Sequence, residues 1–277
     1  MQTHPQFQER IINMIKLYNQ NIWGNTKMPI GDRNRMILSL VNDYAPDFCA
    51  LQECNPRTSR AGDDPMQELL GEYYAEAAPD KWNENFTPLF YRKDAWKLID
   101  SGFLPYDGEN DGLSKSVTWG VFERIADGYR VGFASTHFWY KHRGPEDSEL
   151  RISNARQLKE VCDAAAAKYS VPFVVSGDFN NGFGRDGAPH DNEPYLFMLE
   201  NGFADVRHKA AVTTDSPTIH STPEHDENNK YSCDELPSST IDFIFTYGKH
   251  LDCSRFDVLT SHTALSSSDH CPMIAEF

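Results

Sequence analysis

The chain lacks a Cys-x-x-Cys pair, a long apolar run and a surplus of positive charge, and each absence closes off a class of function. Its cysteines, Cys49, Cys54, Cys162, Cys233, Cys253 and Cys271, are scattered, which excludes zinc-finger spacing. They are expected to be free thiols of a reducing compartment, and Cys49, inside an apolar run, and Cys271, before Pro272, suit burial. No stretch approaches the roughly 20 apolar residues of a membrane span, and no apolar hairpin suggests membrane insertion. The N-terminus has no apolar secretory core, so a cytoplasmic location is the expectation. Lys and Arg number 26 against 41 Asp and Glu, a net charge of −15. Proteins that grip duplex nucleic acid gain most affinity by neutralising phosphates, so the balance argues against tight, nonspecific duplex DNA binding.

Linkers and repeats are missing too: the chain has no Gly/Ser tract, Pro-rich spacer or uniform charge block. Apolar runs at 46–51, 130–135, 173–175 and 241–245 spread across the 277 residues, which favours one domain at 14–277. Residues 1–13 are polar and read as a dispensable extension. Strands are expected at 15–23, 46–51, 88–92, 95–98, 116–123, 129–136, 241–246 and 273–277. Asp127-Gly128 supplies a turn signal between two of them. Met36, Ile37, Leu40 and Val41 at helical spacing predict a helix over 32–44, with further helices at 66–70, 150–168 and 195–200. Asn201-Gly202 reads as a helix C-cap. Strands with helices inserted between them indicate an α/β or α+β chain whose sheet is covered by helices. The acidic stretch 215–236, with His220 and His225, is too long for a connector and reads as an active-site loop or a mobile one.

The most informative stretch is Val174 to Asn181, Val-Val-Ser-Gly-Asp-Phe-Asn-Asn. An apolar strand stops at Ser176-Gly177, and Asp178 and Asn180 follow at spacing two. If the strand continues, a carboxylate and an amide project from one face. That pair suits a hard divalent cation beside a phosphate group. The alternative is a turn in which both side chains bond nearby backbone. Other chemically capable residues stand at strand ends: Asn21, Glu53, His137, Asp242 between Ile241 and Phe243, and Asp269-His270. Glu53 could be solvated and His137 structural, but a carboxylate in an apolar strand needs a partner, and a histidine suits Asp242 best.

In this order, Asn-Ile-Trp-Gly, Leu-Gln-Glu, Thr-His-Phe, Gly-Asp-Phe-Asn, Ile-Asp-Phe-Ile-Phe and Ser-Asp-His span residues 21 to 270. The set resembles the endonuclease/exonuclease/phosphatase superfamily, the deoxyribonuclease I-like metal-dependent phosphohydrolases. The resemblance implies an α/β (α+β) fold: a four-layered sandwich of two packed mixed β-sheets flanked by helices. It also implies a Mg²⁺-dependent phosphodiesterase or phosphatase using in-line attack by an activated water, with Mn²⁺ as a substitute. By the same resemblance Glu53 is the principal metal carboxylate, with Asn21 and Asp269 assisting. Asp178 orients or deprotonates water, Asn180 bonds phosphoryl oxygens, His270 faces the phosphate, Asp242 fixes its ring, and His137 serves the departing side.

The core motifs leave the substrate open. Trp23, Trp82, Trp119, Phe138, Trp139 and Tyr140 lie near strand ends or loops, where core packing accounts for most aromatics. Phe138-Trp139-Tyr140 is the expected substrate wall, Lys141, His142 and Arg143 form either a phosphate partner or a solvated turn, and Asn19 shares a face with Asn21. Arg151, Asn154 and Gln157 form one helical stripe. With the charge balance, a small or single-stranded phosphoester is the leading substrate. A DNA or RNA endo- or exonuclease of the same superfamily and a catalytically dead scaffold are the alternatives. The scaffold is disfavoured because every core position carries a competent residue. The oligomeric state is left open.

Overall fold

The computed structural model describes residues 14–24, 31–56, 66–184, 189–190, 192–228 and 230–277. The extension expected at 1–13 lies outside them. In chain order the elements are β1 (Lys16–Asn21), α1 (Gly31–Tyr44), β2 (Phe48–Gln52), α2 (Met66–Leu70), β3 (Tyr74–Glu76), β4 (Leu89–Arg92) and β5 (Trp96–Pro105). There follow β6 (Ser116–Arg124), β7 (Arg130–His137), α3 (Pro145–Tyr169), β8 (Phe173–Phe183), β9 (Pro189–His190), α4 (Glu193–Glu200), β10 (Phe203–Asp205) and β11 (Val212–Thr214). The chain closes with β12 (Glu224–His225), β13 (Tyr231–Ser232), β14 (Thr240–Tyr247), β15 (Arg255–Val258), α5 (His262–Ser267) and β16 (Met273–Glu276).

Two mixed sheets form the centre. One runs β11-β15-β16-β1-β2-β4-β3, and the other runs β10-β14-β8-β7-β6-β5 with β9 on the end of β8. Leu17, Phe48, Phe133, Val174, Ile244 and Phe256 fill the seam between them. Phe48 stacks on Phe133 at 3.9 Å and meets Trp96 at 5.0 Å. Ala155, Leu158 and Cys162 of α3 and Met198 of α4 cover the outer face of the second sheet. Ile37 and Val41 of α1, Leu70 of α2 and Ala264 of α5 cover the first. The four layers and the two flanked sheets are therefore those the resemblance implies. Among the described residues no helix is long and apolar enough to cross a membrane.

Strand alternation turns this packing into a site. Successive inward residues are two apart, and along several strands they change from apolar to polar toward one edge. The series run Leu17, Asn19, Asn21 on β1; Phe48, Ala50, Gln52 on β2; Phe133, Ser135, His137 on β7; and Val174, Ser176, Asp178 on β8. β1 and β2 are parallel, as are β7 and β8, so their C-terminal ends gather together. Halfway up, Gln52 Nε2 donates to Asn19 Oδ1 at 3.0 Å and to Ser135 Oγ at 3.1 Å, tying the sheets across the seam. The residues after three site side chains face the other way. Phe138, Phe179 and Phe243 join the core under α3 and α4, with ring centroids 4.7 and 5.8 Å apart.

Where the structure departs from the sequence expectation, the missing signal is apolar spacing. α3 begins at Pro145, ahead of the first apolar repeat, because proline at its start and Glu146 and Asp147 in its first turn suit a helix N-terminus. β5 continues past residue 98 to Pro105 as an edge strand of largely half-exposed residues, without alternation. The short β3, β10 and β15 and the helix α5 were not anticipated.

Gly177 allows β8 to lie close to β7. A Cβ there would stand 2.0 Å from the Thr136 carbonyl oxygen. Gly177→Ala should lower stability by roughly 1–3 kcal/mol, read as the shift of the urea midpoint; an unchanged midpoint would show that the strands can part at no cost.

Candidate active site

At the polar edge of the seam, Asp178 is the hub. Its carboxylate is 2 % exposed and sits on β8 in register with His137 of β7 and Asp242 of β14. Oδ2 accepts from Asn21 Nδ2 at 2.9 Å, lies 3.3 Å from His137 Nε2 and faces His270 Nε2 at 3.9 Å. Oδ1 accepts from the Asn180 backbone N–H at 2.9 Å. Both sequence readings of this stretch are therefore present: the strand continues to Phe183, and Asp178 also closes a local turn. Asn180 takes φ of 50°, which lifts its side chain out of simple alternation. Its Nδ2 donates to the Phe138 carbonyl at 3.0 Å.

Behind the hub, His270 Nδ1 is 2.9 Å from Asp242 Oδ2, which also accepts from Thr218 Oγ1 at 2.6 Å. Burial alone would push the His270 imidazole down. The carboxylate of Asp242, with Asp178 and Asp269, outweighs burial and holds it charged well above its ordinary range. Burial likewise opposes ionisation of Asp178, but His137, His270 and the Asn180 N–H hold that carboxyl below the usual range.

Glu53 follows β2 directly with φ of 54°, and Asn21 Nδ2 lies 3.4 Å from its Oε1. Asp269 is half-buried; burial pushes its carboxyl up, with His270 opposing and Glu53 adding to the rise. The Glu53 and Asp269 carboxylates supply oxygen donors, and Asn21, whose Oδ1 accepts from the Trp23 N–H while its Nδ2 faces Glu53, stands beside them, so the three side chains fit a hard divalent cation. Asp178, Asp242 and His270 are also compact, with ligand atoms within 4.8 Å. Here His270 Nδ1 is taken by Asp242 and Asp242 by Thr218, while Asp178 faces His270 Nε2 at 3.9 Å, an ion-pair distance too long for a hydrogen bond.

Other expected site residues have different roles. Asn19 is fully buried and held by Gln52, so it braces the seam and does not reach substrate. Trp139 is 1 % exposed and its Nε1 donates to Asp147 Oδ1 at 2.6 Å, which makes it part of the core and not a substrate wall. Arg143 is bound to Asp147 at 2.7 Å and Glu109 at 3.0 Å, so its charge is already matched. Phe138 is core as well. Tyr140 is 42 % exposed and remains available, with Lys141 Nζ 5.6 Å from its ring centroid. Trp23 is covered by the Arg33 guanidinium at 4.6 Å, Trp82 lies at the surface, and Trp119 packs on the outer core. The stripe on α3 is structural: Arg151 Nη1 donates to the Lys141 carbonyl, Asn154 Oδ1 accepts from the Trp139 N–H, and Gln157 Oε1 accepts from the Asp107 N–H. His220 is buried with Nδ1 at the Ser221 carbonyl, and exposed His225 packs on Tyr231.

Sequence reasoning missed Thr218, which orients Asp242 from the acidic loop, and Ser268, whose Oγ donates to the Asn21 carbonyl at 2.7 Å. It also missed Arg33, whose guanidinium donates to the Ile22 and Trp23 carbonyls. Among these, only Ser268 carried a signal, its place in Ser-Asp-His.

A sequence model of the Endonuclease/Exonuclease/phosphatase family matches residues 19–270. Among solved structures, an endonuclease/exonuclease/phosphatase family protein from Bacteroides thetaiotaomicron is 21 % identical with a TM-score of 0.72, over 95 % of this chain and 97 % of that one. A mannosyl-6-phosphatase from the same organism is 21 % identical with a TM-score of 0.71, over 94 % and 98 %. The human Nocturnin catalytic domain with bound sulfate is 19 % identical with a TM-score of 0.66, over 95 % and 92 %. At these identities the likeness is one of fold. No curated protein matches the chain.

The raised His270 value stabilises the fold fully below the ordinary histidine range, and that contribution is lost as pH rises through the folded value. In metal-free protein, ¹⁵N NMR should find His270 doubly protonated at about pH 8, above the usual histidine range. Asp242→Asn should bring its titration down. A neutral imidazole at that pH in the wild type would overturn the charge assignment.

Proposed function

The chain belongs to the endonuclease/exonuclease/phosphatase family, and on that premise we propose that it hydrolyses a phosphoester bond by in-line attack of water with a divalent cation as cofactor. The observation that carries this reading is the convergence of the Asp242–His270 hydrogen-bonded pair on Asp178, whose carboxylate stands 3.9 Å from His270 Nε2, with Asn21 joining Asp178 to Glu53. Glu53, Asp269 and Asn21 would hold Mg²⁺, or Mn²⁺ in its place, and the bound ion would supply positive charge for the phosphoryl oxygens.

Every other step falls to side chains. Asp178 stays ionised and accepts a hydrogen bond from the attacking water, aligning it and drawing off its proton. His270, charged and fixed at Nδ1 by Asp242, directs Nε2–H at a phosphoryl oxygen as negative charge builds there. Asn180 offers its remaining amide hydrogen to a second oxygen. His137, beside Asp178, serves the departing oxygen.

We read the substrate as small or single-stranded. A net charge of −15 opposes a polyanionic duplex, and the exposed ring of Tyr140 offers a face for a sugar or base. A protein of the same fold is a mannosyl-6-phosphatase, which accords with a small phosphate ester. A nuclease would need a continuous basic groove, which the charge balance disfavours.

Hydrolysis of bis-p-nitrophenyl phosphate and p-nitrophenyl phosphate, with Mg²⁺, Mn²⁺ or EDTA, tests the reading. Glu53→Ala and His270→Ala should each lower turnover by roughly 10²–10⁴-fold while circular dichroism stays native. Wild-type turnover in either variant would refute it.

A further inference from the structure

One charged group at the site has no part in this scheme. Lys115, just before β6, is 4 % exposed. Its Nζ is 2.9 Å from His137 Nε2 and 3.3 Å from Nδ1, and 5.0 Å from the Tyr140 ring centroid. An ammonium at these distances from both ring nitrogens lies over the ring face, away from the in-plane lone pairs, so at least two of its three N–H groups stay free for a ligand. Among the described residues no carboxylate lies within ion-pair distance of Nζ. Burial holds this amine below the usual lysine range, with Glu53, Asp178 and Asp111 opposing from further off. A buried ammonium without an ion-pair partner is costly, and an anion arriving beside His137 removes that cost.

The chain also fixes the backbone that carries this ammonium. Asn110 Nδ2 donates to the Lys115 carbonyl at 2.7 Å and to the Tyr106 carbonyl at 3.1 Å, and its Oδ1 accepts from the Lys115 N–H at 3.0 Å. The Tyr106 N–H donates to the same Lys115 carbonyl at 2.9 Å. Gln157 of α3 secures the loop from the other side through the Asp107 N–H. The backbone carrying the cation is therefore set before any ligand arrives, which lowers the ordering cost of binding.

We propose that Lys115 is the phosphoryl anchor of this site, donating from Nζ to a non-bridging oxygen of the substrate's phosphate, and that it selects a phosphomonoester. This rests on the hydrolase reading above. Two facts point to the monoester. Coulomb attraction scales with ligand charge, so a terminal dianion gains more from a fixed ammonium than a diester monoanion does. The ammonium is also almost closed off by its surroundings, so a phosphate at the end of a molecule reaches it more readily than one in mid-chain.

The test compares wild type with Lys115→Met and Lys115→Arg. Inorganic phosphate binding is read by calorimetry with Mg²⁺ present, and kcat/KM is read on p-nitrophenyl phosphate and its bis ester. Lys115→Met should weaken phosphate binding by roughly ten- to a hundred-fold, as expected for a hydrogen bond to a charged group. It should lower kcat/KM on the monoester by a similar factor and on the diester by less, and Lys115→Arg should retain part of both. Unchanged phosphate binding in Lys115→Met, or equal losses on the two esters, would overturn the proposal. Should Lys115→Met not fold, ¹⁵N-lysine-labelled wild type still decides. Phosphate should shift one ammonium resonance that is absent from Lys115→Arg, and no shift would refute the contact. The hydrolase reading fails separately, through turnover that survives Glu53→Ala, and phosphate binding at Lys115 does not depend on that outcome.

Discussion

The structure is organised around the compensation of one buried charge, the carboxylate of Asp178. It stands in the middle of a sheet, at the seam with a second sheet, where an unpaired anion would be prohibitively costly. Each partner comes from a different element: Asn21 from the other sheet, His137 from the neighbouring strand, His270 from the segment before β16, and the Asn180 N–H from its own turn. Satisfying this charge therefore requires β1, β7, β8 and the last loop to meet in one arrangement. Loss of a partner in such a buried network costs about 3–5 kcal/mol. The same groups that hold the sheets in register are those to which the proposed hydrolysis assigns its chemistry.

A graded interior supports the arrangement. Aromatic packing of Phe48, Phe133 and Trp96 closes the far part of the seam, and the Asn19–Gln52–Ser135 bridge fills its middle. The ionised groups occupy only the edge, where water and substrate can reach them. Outside the seam, Thr218 steadies Asp242, Ser268 and Arg33 hold the turn after β1, and Asn110 fixes the approach to Lys115. Glu53 and Asn180 both take left-handed backbone conformations, which are unfavourable for residues with side chains and persist only where surroundings enforce them. Tight packing beneath and strain above are the expected division between a scaffold and a site built on it.

Much of this was legible residue by residue. Asp242 between Ile241 and Phe243 demanded a partner by the cost of burial alone, and His270 is that partner. The spacing of Asp178 and Asn180 pointed to a strand end, although the left-handed turn at Asn180 was hidden because local sequence does not report φ at a non-glycine residue. Trp139 and Arg143 were misread for one reason. Their neighbours in sequence, His137 and Tyr140, do face the site, but Asp147, eight residues beyond Trp139, folds back on α3 and takes both. Lys115 passed unnoticed because a lysine before a strand reads as solvated, and only the loop clipped by Asn110 buries it.

What the sequence determined by itself was the chemistry available and its order along the chain: carboxylates, amides and histidines at strand ends, each in a short motif, together with the alternation that sends Phe138, Phe179 and Phe243 into the core. Tertiary structure alone decided which polar groups touch and which charges go uncompensated. Asn21 and Asp178 are 157 positions apart, and Lys115 and His137 are 22 apart. The reason is physical: hydrogen bonds and ion pairs are decided over a few ångströms of space, and that proximity arises only when two sheets and the loops between them close on one another.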